Sequence, residues 1–202
     1  MSLMATVRFN LLNNSVVVVA ASHNPSVVSK AFLGKAGIVK ELTEIDEKSL
    51  IITPAVSQIL FKNGTSLQLD PDRLTLTSLN EIDQAAELAD NYCKTLPFIR
   101  GTAIGINFVY TVVDFDFAGW FGGMKVNYNG AHLYSVDIKF PAEDITCNLK
   151  VLMNAANQGT LTFNFHRDLS GVGIGDIPFR IIEKKKTYQK IALDVLDKLF
   201  QK

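Results

Sequence analysis

The sequence predicts an α+β domain, a mainly antiparallel sheet with helices on one face. Three observations carry this. Residues 96–113 read as one long central strand: Ile104, Ile106, Phe108, Tyr110 and Val112 share one side, and Ala103, Gly105, Asn107, Val109 and Thr111 the other. That is the period of a strand buried on at least one side. Further alternating runs at 132–140, 145–153 and 160–167 follow one another across turn residues, as antiparallel neighbours do. Two segments of helical period, one ending at Leu96 and one closing the chain, each carry an apolar stripe that a sheet face would bury.

In chain order, residues 6–12 alternate, Asn13-Asn14 is a turn signal, and 16–21 is a β-branched run, so an opening hairpin is expected. Asn24-Pro25 then reads as an N-cap followed by a first helical position that needs no amide donor. A short helix should run to Leu33, burying Val28, Ala31 and Phe32, with Gly34 in its left-handed C-terminal position. Residues 37–48 read as an irregular connection with a little strand near Ile38. From 50 to 76 a meander is expected, with Asn63-Gly64 as a two-residue hairpin turn and Asp70-Pro71-Asp72 as a second turn. Ser78-Leu79-Asn80-Glu81 has the form of a capping box. The helix behind it buries Ile82, Ala85, Ala86, Ala89, Cys93 and Leu96 and stops at Pro97.

Residues 114–129 break the pattern, packing Phe115, Phe117, Trp120 and Phe121 among Gly119, Gly122 and Gly123. Core packing and a contact surface for a partner both suit such a segment. Tyr128-Asn129-Gly130 is a turn, 154–159 another, and 179–182 a short edge strand. The last helix presents Tyr188, Ile191, Ala192, Val195, Leu196 and Leu199 inward. The chain is therefore expected to be one domain, 1–202, of two similar halves, 4–113 and 114–202, each a β-meander followed by a helix. This is a repeat of element order rather than of residues.

Composition narrows the function. With 202 residues, 48% hydrophobic and 20% charged, the chain can bury a core without a metal or disulfide staple. Lys+Arg and Asp+Glu are 20 each, so no basic excess suggests nucleic acid, and Lys184-Lys185-Lys186 reads as a solvated patch. Cys93 and Cys147 lie on apolar stripes and read as buried thiols of a reducing compartment. No secretory leader and no apolar run of membrane-spanning length is visible, so a cytoplasmic location without membrane contact is expected. Met1-Ser2-Leu3 ahead of Met4 reads as a cloning remnant.

The run Asn164-Phe165-His166-Arg167-Asp168 combines a proton shuttle, an orienting carboxylate and an anion holder. On a strand, however, His166 and Asp168 share one face while Arg167 takes the other. Asn164 and His166, with Asn148, Lys150 and Asn107, could form a polar patch: the wet side of a half-covered sheet, or the floor of a binding groove. Gly171-Val172-Gly173-Ile174-Gly175 lacks the βαβ surroundings of a dinucleotide loop. His23, His132 and His166 are far apart with no metal spacing, and nothing calls for a cofactor. Asp114 and Asp116 read as a helix-start cap rather than an acid/base pair.

The hairpin at Asn63-Gly64, the turn and strand at Asp70-Pro71-Asp72-Arg73-Leu74, a helix containing Tyr92, and the strand from Arg100 to Asn107 with its Ile-Gly-Ile-Asn core together cover about residues 55–110. This region resembles the middle of a sporadically distributed family of uncharacterised prokaryotic proteins. The resemblance implies the same order of hairpin, strand, helix and strand, and implies no site residues.

Together these readings lead to a non-catalytic binding or self-associating protein. A homodimer is expected through a sheet edge or the 115–121 segment, with Asn107, Asn164, His166, Trp120 and Phe121 as candidate contact residues. The alternatives are a carrier of a small apolar ligand beneath the long helix, and an enzyme using His166, Asp168 and Asp137.

Overall fold

The central alternating run is β6 (Gly101–Val113), and its Ile104, Ile106, Phe108, Tyr110 and Val112 side chains are all buried. The structure, a computed structural model, describes residues 7–41, 44–79, 83–124 and 134–200. The other strands are β1 (Arg8–Ala20), β2 (Ile51–Ile52), β3 (Ser57–Leu60), β4 (Ser66–Leu69), β5 (Arg73–Leu79), β7 (Ser135–Ala142), β8 (Ile145–Ala155) and β9 (Gln158–Asp168). They form one nine-stranded antiparallel sheet in the order β2-β3-β4-β5-β1-β6-β9-β8-β7. Among the described residues four helices pack against it, α1 (Lys30–Lys35), α2 (Gln84–Thr95), α3 (Phe117–Gly122) and α4 (Ile181–Phe200). No helix among the described residues is long and apolar enough to cross a membrane.

The expected opening hairpin is instead one strand. β1 pairs along its length with β6 on one side and, from Asn13 to Val19, with β5 on the other, so both backbone edges of Asn13 and Asn14 are taken up in ladders. A register shift between Leu11 and Asn13 absorbs one residue. It moves the core-facing set from Phe9 and Leu11 to Asn14, Val16, Val18 and Ala20. A bulge of this kind changes the parity of a strand without reversing it.

Several local expectations shift by a turn or a residue. Asn24 Oδ1 does accept the Ser26 amide, but the helix it starts is a single 3-10 turn, Pro25–Val27. α1 is separately capped by Ser29, leaves Ala31 exposed, and the left-handed glycine beyond it is Gly37 (φ 66°), not Gly34. Ile38 is a buried loop residue, and Ile45 makes the isolated bridge to Phe61. At the Asn63-Gly64 turn the Gly64 amide donates to the Phe61 carbonyl, the Phe61 amide to the Thr65 carbonyl, and only Gly64 has positive φ (87°). That is a turn closed by a glycine bulge, not a two-residue turn.

Ser78 belongs to β5, and its hydroxyl accepts the amide of Ala85, seven residues on, from the first turn of α2. Asn80, Glu81 and Ile82 lie outside the described residues, as do Tyr128-Asn129-Gly130 and His132. Residues 181 and 182 begin α4 rather than an edge strand.

The helical layer is tied together by charges that cross between elements. Asp90 on α2 is 5% exposed, and its two carboxylate oxygens accept the Ile181 and Ile182 amides at 2.8 and 3.2 Å. A carboxylate from a neighbouring helix thus takes the N-cap role and complements the α4 dipole. Lys185, on the inner side of α4, is fully buried and donates to Asp83 at 2.5 Å. The basic triplet is therefore not one solvated patch: helical rotation sends Lys185 inward, Lys184 to Glu143 at 2.6 Å, and Lys186 to solvent. At the other end of α4, Phe200 lies among Phe9, Phe115, Phe117 and Trp120, with ring centroids 4.6 to 6.1 Å away.

Candidate functional site

The described helices cover only one face of the sheet. On the other face, the strand register lines side chains into rows. One row runs Ser66, Thr77, Ser15, Asn107, Asn164, Asn148, Lys139, crossing from β4 to β7. The adjacent row runs Gln68, Thr75, Val17, Gly105, His166, Thr146, Pro141. Hydroxyls, amides and one imidazole dominate. The apolar members of this face are Val17, Val19, Ala103 and Val109 on the two central strands, partly or fully buried, and the exposed Leu79, Leu60 and Leu152 on the outer ones. No described helix packs over this face.

The register brings Asn107, Asn164 and His166 together on this face, with Asn148 one strand further on. Asn164 and His166 are exposed, while Asn107 is half-buried. The Asn107 amide donates to Ser15 Oγ at 3.1 Å, and its Oδ1 is enclosed without a hydrogen-bond partner. A buried carbonyl oxygen left in this condition costs about 1–3 kcal/mol, so an incoming donor would be favoured there. Lys150 lies in a further row, opposite Asp137 and Thr162.

Trp120 and Phe121 are elsewhere. Both sit on α3 at the helical layer, where Asp116 caps the helix by accepting the Gly119 amide at 2.8 Å. Phe121 is 3% exposed, and Trp120 packs on Phe115, Phe121 and Phe200. Asp114 is not part of that cap; it accepts from Arg8 at 2.8 Å.

The acid/base constellation is not assembled by hydrogen bonds among the described residues. Asp168 Oδ1 accepts the Ser170 amide at 2.8 Å. Asp137 shares a row with Thr162, four residues from His166 and two strands away, about 16 Å by strand geometry. Arg167 points to the helical face, where it binds Asp144, donates to Tyr188 Oη at 3.4 Å and lies 4.9 Å over the Phe179 ring. That guanidinium holds the Asp144 carboxyl below its ordinary value.

Gly105 is a site residue that alternation alone does not single out. It sits mid-strand in β6, between Val17 and His166, where glycine weakens a strand. Its φ is not positive, and an added Cβ would meet only Val17 Cβ at 3.7 Å and Asn107 Nδ2 at 3.9 Å, which are ordinary contacts. Nothing among the described residues requires a glycine here. A glycine in a strand interior was the available signal, since one cause of it is close approach by another molecule.

The space beneath α4 is filled, with Tyr188 stacked on Phe165 at 4.6 Å between centroids and 2° between planes. The cavities that the described residues do form are elsewhere. One of about 320 Å³ lies between Asp90, Cys93, Arg180 and the 174–178 turn. Another of about 500 Å³ opens between Ala21, Ser22 and the 95–100 connection. Burial pushes both the Cys93 and Cys147 thiols up to about 12, so they stay protonated at neutral pH. No group of three or more His, Cys, Asp or Glu side chains suited to a metal occurs among the described residues.

No protein-family model and no curated protein matches the chain. Among solved structures it is similar to a chain of the heterotetrameric sarcosine oxidase from Corynebacterium sp. U-96 in complex with pyrrole 2-carboxylate, at 11% identity over 89% of this chain and 84% of that one, with a TM-score of 0.24. A likeness at that level carries no argument.

Proposed function

We propose that this protein works by binding, and that the open face of the sheet is where its partner docks. The observation that carries this is Gly105: a glycine with no intramolecular reason, central on that face, beside the unsatisfied Asn107 Oδ1. Strands β5, β1, β6, β9 and β8 offer a footprint of about 25 by 35 Å at ordinary strand spacing, close to the ~800 Å² per partner of a standard interface. Amides and hydroxyls would supply orientation, and the Val17, Val19, Ala103 and Val109 strip the apolar contact.

A reducing, cytoplasmic setting belongs to the same proposal and is supported by the two buried free thiols. So does an origin of the chain as two repeats, with units that open at β1 and at β6 rather than the halves 4–113 and 114–202. Its support is the sheet order, in which β5, β4 and β3 flank β1 as β9, β8 and β7 flank β6, with α2 and α4 closing each series.

The test is a pair of measurements. Gly105→Ala should leave the unfolding free energy, read from chemical denaturation, unchanged or raise it by up to about 1 kcal/mol. Gly105→Val and Asn164→Glu should abolish co-purification of whatever the unsubstituted protein captures from its own cell extract. A Gly105→Ala variant that is clearly destabilised would make the glycine a requirement of the fold, and partners retained by both face variants would end the docking reading.

A further inference from the structure

Among the described residues the sheet ends in two edges of different length. At one end β2 is two residues long, and so short an edge offers little to another chain. At the other end β7 runs for eight residues, and among the described strands it pairs with β8 alone.

The ladder to β8 fixes which backbone groups of β7 point outward. The Met153 amide donates to the carbonyl of Tyr134, the residue opposite it, at 2.8 Å. Hydrogen-bonded and non-bonded pairs alternate along an antiparallel ladder. Val136, Ile138, Phe140 and Ala142 therefore direct their main-chain groups to Val151, Leu149, Cys147 and Ile145 of β8. Ser135, Asp137 and Lys139 turn theirs to the outer edge. So does Pro141, which has no amide to leave unpaired there, the setting in which a sheet tolerates proline. Val136, Ile138 and Phe140 are half-buried against the core, while Asp137 and Lys139 are exposed on the open face. Neither charge is in an ion pair among the described residues.

A second copy brought edge to edge about a two-fold axis normal to the sheet pairs β7 antiparallel with itself. Such registers are centred on one residue, and charge separates them. Centring on Asp137 or on Lys139 sets like charges opposite each other, which is unfavourable. Centring on Ile138 sets Asp137 of each copy opposite Lys139 of the other, with Val136 opposite Phe140. This is also the register in which the strand overlaps itself almost end to end, Ser135 meeting Pro141. In it the main-chain groups of Asp137 and Lys139, already turned outward, exchange both their bonds, and the Ser135 amide meets the Pro141 carbonyl. On the open face the polar row Asn164, Asn148, Lys139 then continues into Asp137 and Lys150 of the second copy, since Lys150 stands opposite Asp137.

A lysine on an edge strand commonly blocks pairing, because a second copy brings the same charge to it. Here Asp137, two residues away, supplies the opposite charge, and no charge of β7 points into the helical layer.

We infer that β7 is a homodimer edge, pairing with itself about Ile138 and joining two nine-stranded sheets into one. Of the contact modes expected from the sequence, this one is the sheet edge. It leaves the open face of each copy uncovered and stands whether or not that face binds a partner. A strip one strand wide is smaller than a standard interface, so the association is of the weak, concentration-dependent class, with main-chain hydrogen bonds as its chief support.

The experiment is sedimentation equilibrium on the full chain from about 10 to 500 μM, the range in which a weak interface is read. The unsubstituted chain should pass from monomer to dimer. Asp137→Lys and Lys139→Asp, both at exposed positions, each set like charges opposite one another and should weaken association at least about tenfold. Mixed in equal amounts they should form a 1:1 heterodimer, because every 137–139 pair is then of opposite sign, and the double exchange in one chain should restore the homodimer. Circular dichroism melts confirm that the variants are folded. In the unsubstituted chain, amide hydrogen exchange at Ser135, Asp137 and Lys139 should slow as concentration rises, while Val136, Ile138 and Phe140 are protected throughout. A chain monomeric at every concentration, a dimer indifferent to both single exchanges, or a mixture that associates no better than its components would each overturn the inference. So would a dimer whose concentration-dependent protection falls outside β7.

Discussion

The two faces of β9 differ more than their shared backbone suggests. Phe163 and Phe165 on one side are at most 1% exposed, stacked on each other and enclosed by Phe108, Tyr110 and Tyr188. Asn164 and His166, one residue away in each case, face outward in rows of amides and hydroxyls. Burial and packing fill the first face and fix its residues by volume. On the second face the fold makes few demands, so a departure from good strand chemistry there, such as Gly105 or the unpaired Asn107 oxygen, is not explained by packing among the described residues, and the proposed docking is what would explain it. The lesson is that the same residue type carries different information on the two faces.

The comparison breaks first at the core. Phe165→Ala should cost about 3–5 kcal/mol in chemical denaturation, through lost transfer energy and the cavity left behind. A loss below 1 kcal/mol would mean that the helical face is not the tightly packed one. Next is Gly159→Ala, on the same strand and face, where a Cβ would meet the Phe117 ring at 2.5 to 2.8 Å. Overpacking of that kind should cost about 1–3 kcal/mol, in contrast to the neutral or stabilising Gly105→Ala. An equal response at the two glycines would erase the distinction between the faces.

Asp90→Ala removes the acceptor for two α4 amides and should destabilise by about 1–2 kcal/mol. Amide hydrogen exchange should then accelerate first at Ile181 and Ile182. A smaller effect is expected from pH at His23, which is 4% exposed and hydrogen-bonded through Nδ1 to Tyr92 Oη at 2.9 Å. Burial lowers its proton affinity below the ordinary value of 6.5, with the Val18 backbone, Asp70 and Asp72 acting in the opposite sense. The unfolded chain therefore binds the proton more readily. The contribution is complete above pH ~6.5 and is lost as pH falls from there through the folded value. Thermal midpoints between about pH 7 and pH 5 should fall less steeply in His23→Gln. The smallest effect is His166→Ala, within about 0.5 kcal/mol, since its ring is exposed on the open face.

Much of the fold was legible from period alone. β6, β8, β9, α2 and α4 appear where alternation and apolar stripes put them, because each is long enough for its inward residues to repeat four or more times, although β6 starts at Gly101 and residues 96–100, expected in the same strand, form the turn before it. The short pieces were less legible. Asn63-Gly64 marked a turn but not its bulge, and Asn24-Pro25 marked a helical start but not that it would end after one turn. Of the candidate site, the outward direction of Asn107, Asn164 and His166 could be read from parity. That they would stand in neighbouring rows could not, since register is set by the pairing of strands 50 or more residues apart.

By itself, then, the sequence determined which residues turn inward along each long strand and helix, through the fixed periods of 2 and 3.6. The tertiary structure decided what those periods leave open. It kept Asn13-Asn14 inside one strand, because β5 and β6 both offered ladders to pair with. It drew Lys185 out of a basic triplet and into the core, because helical rotation pointed it at Asp83 on another helix. And it left Phe98 in solvent, 95% exposed, because the connection from α2 to β6 turns its ring away from the core.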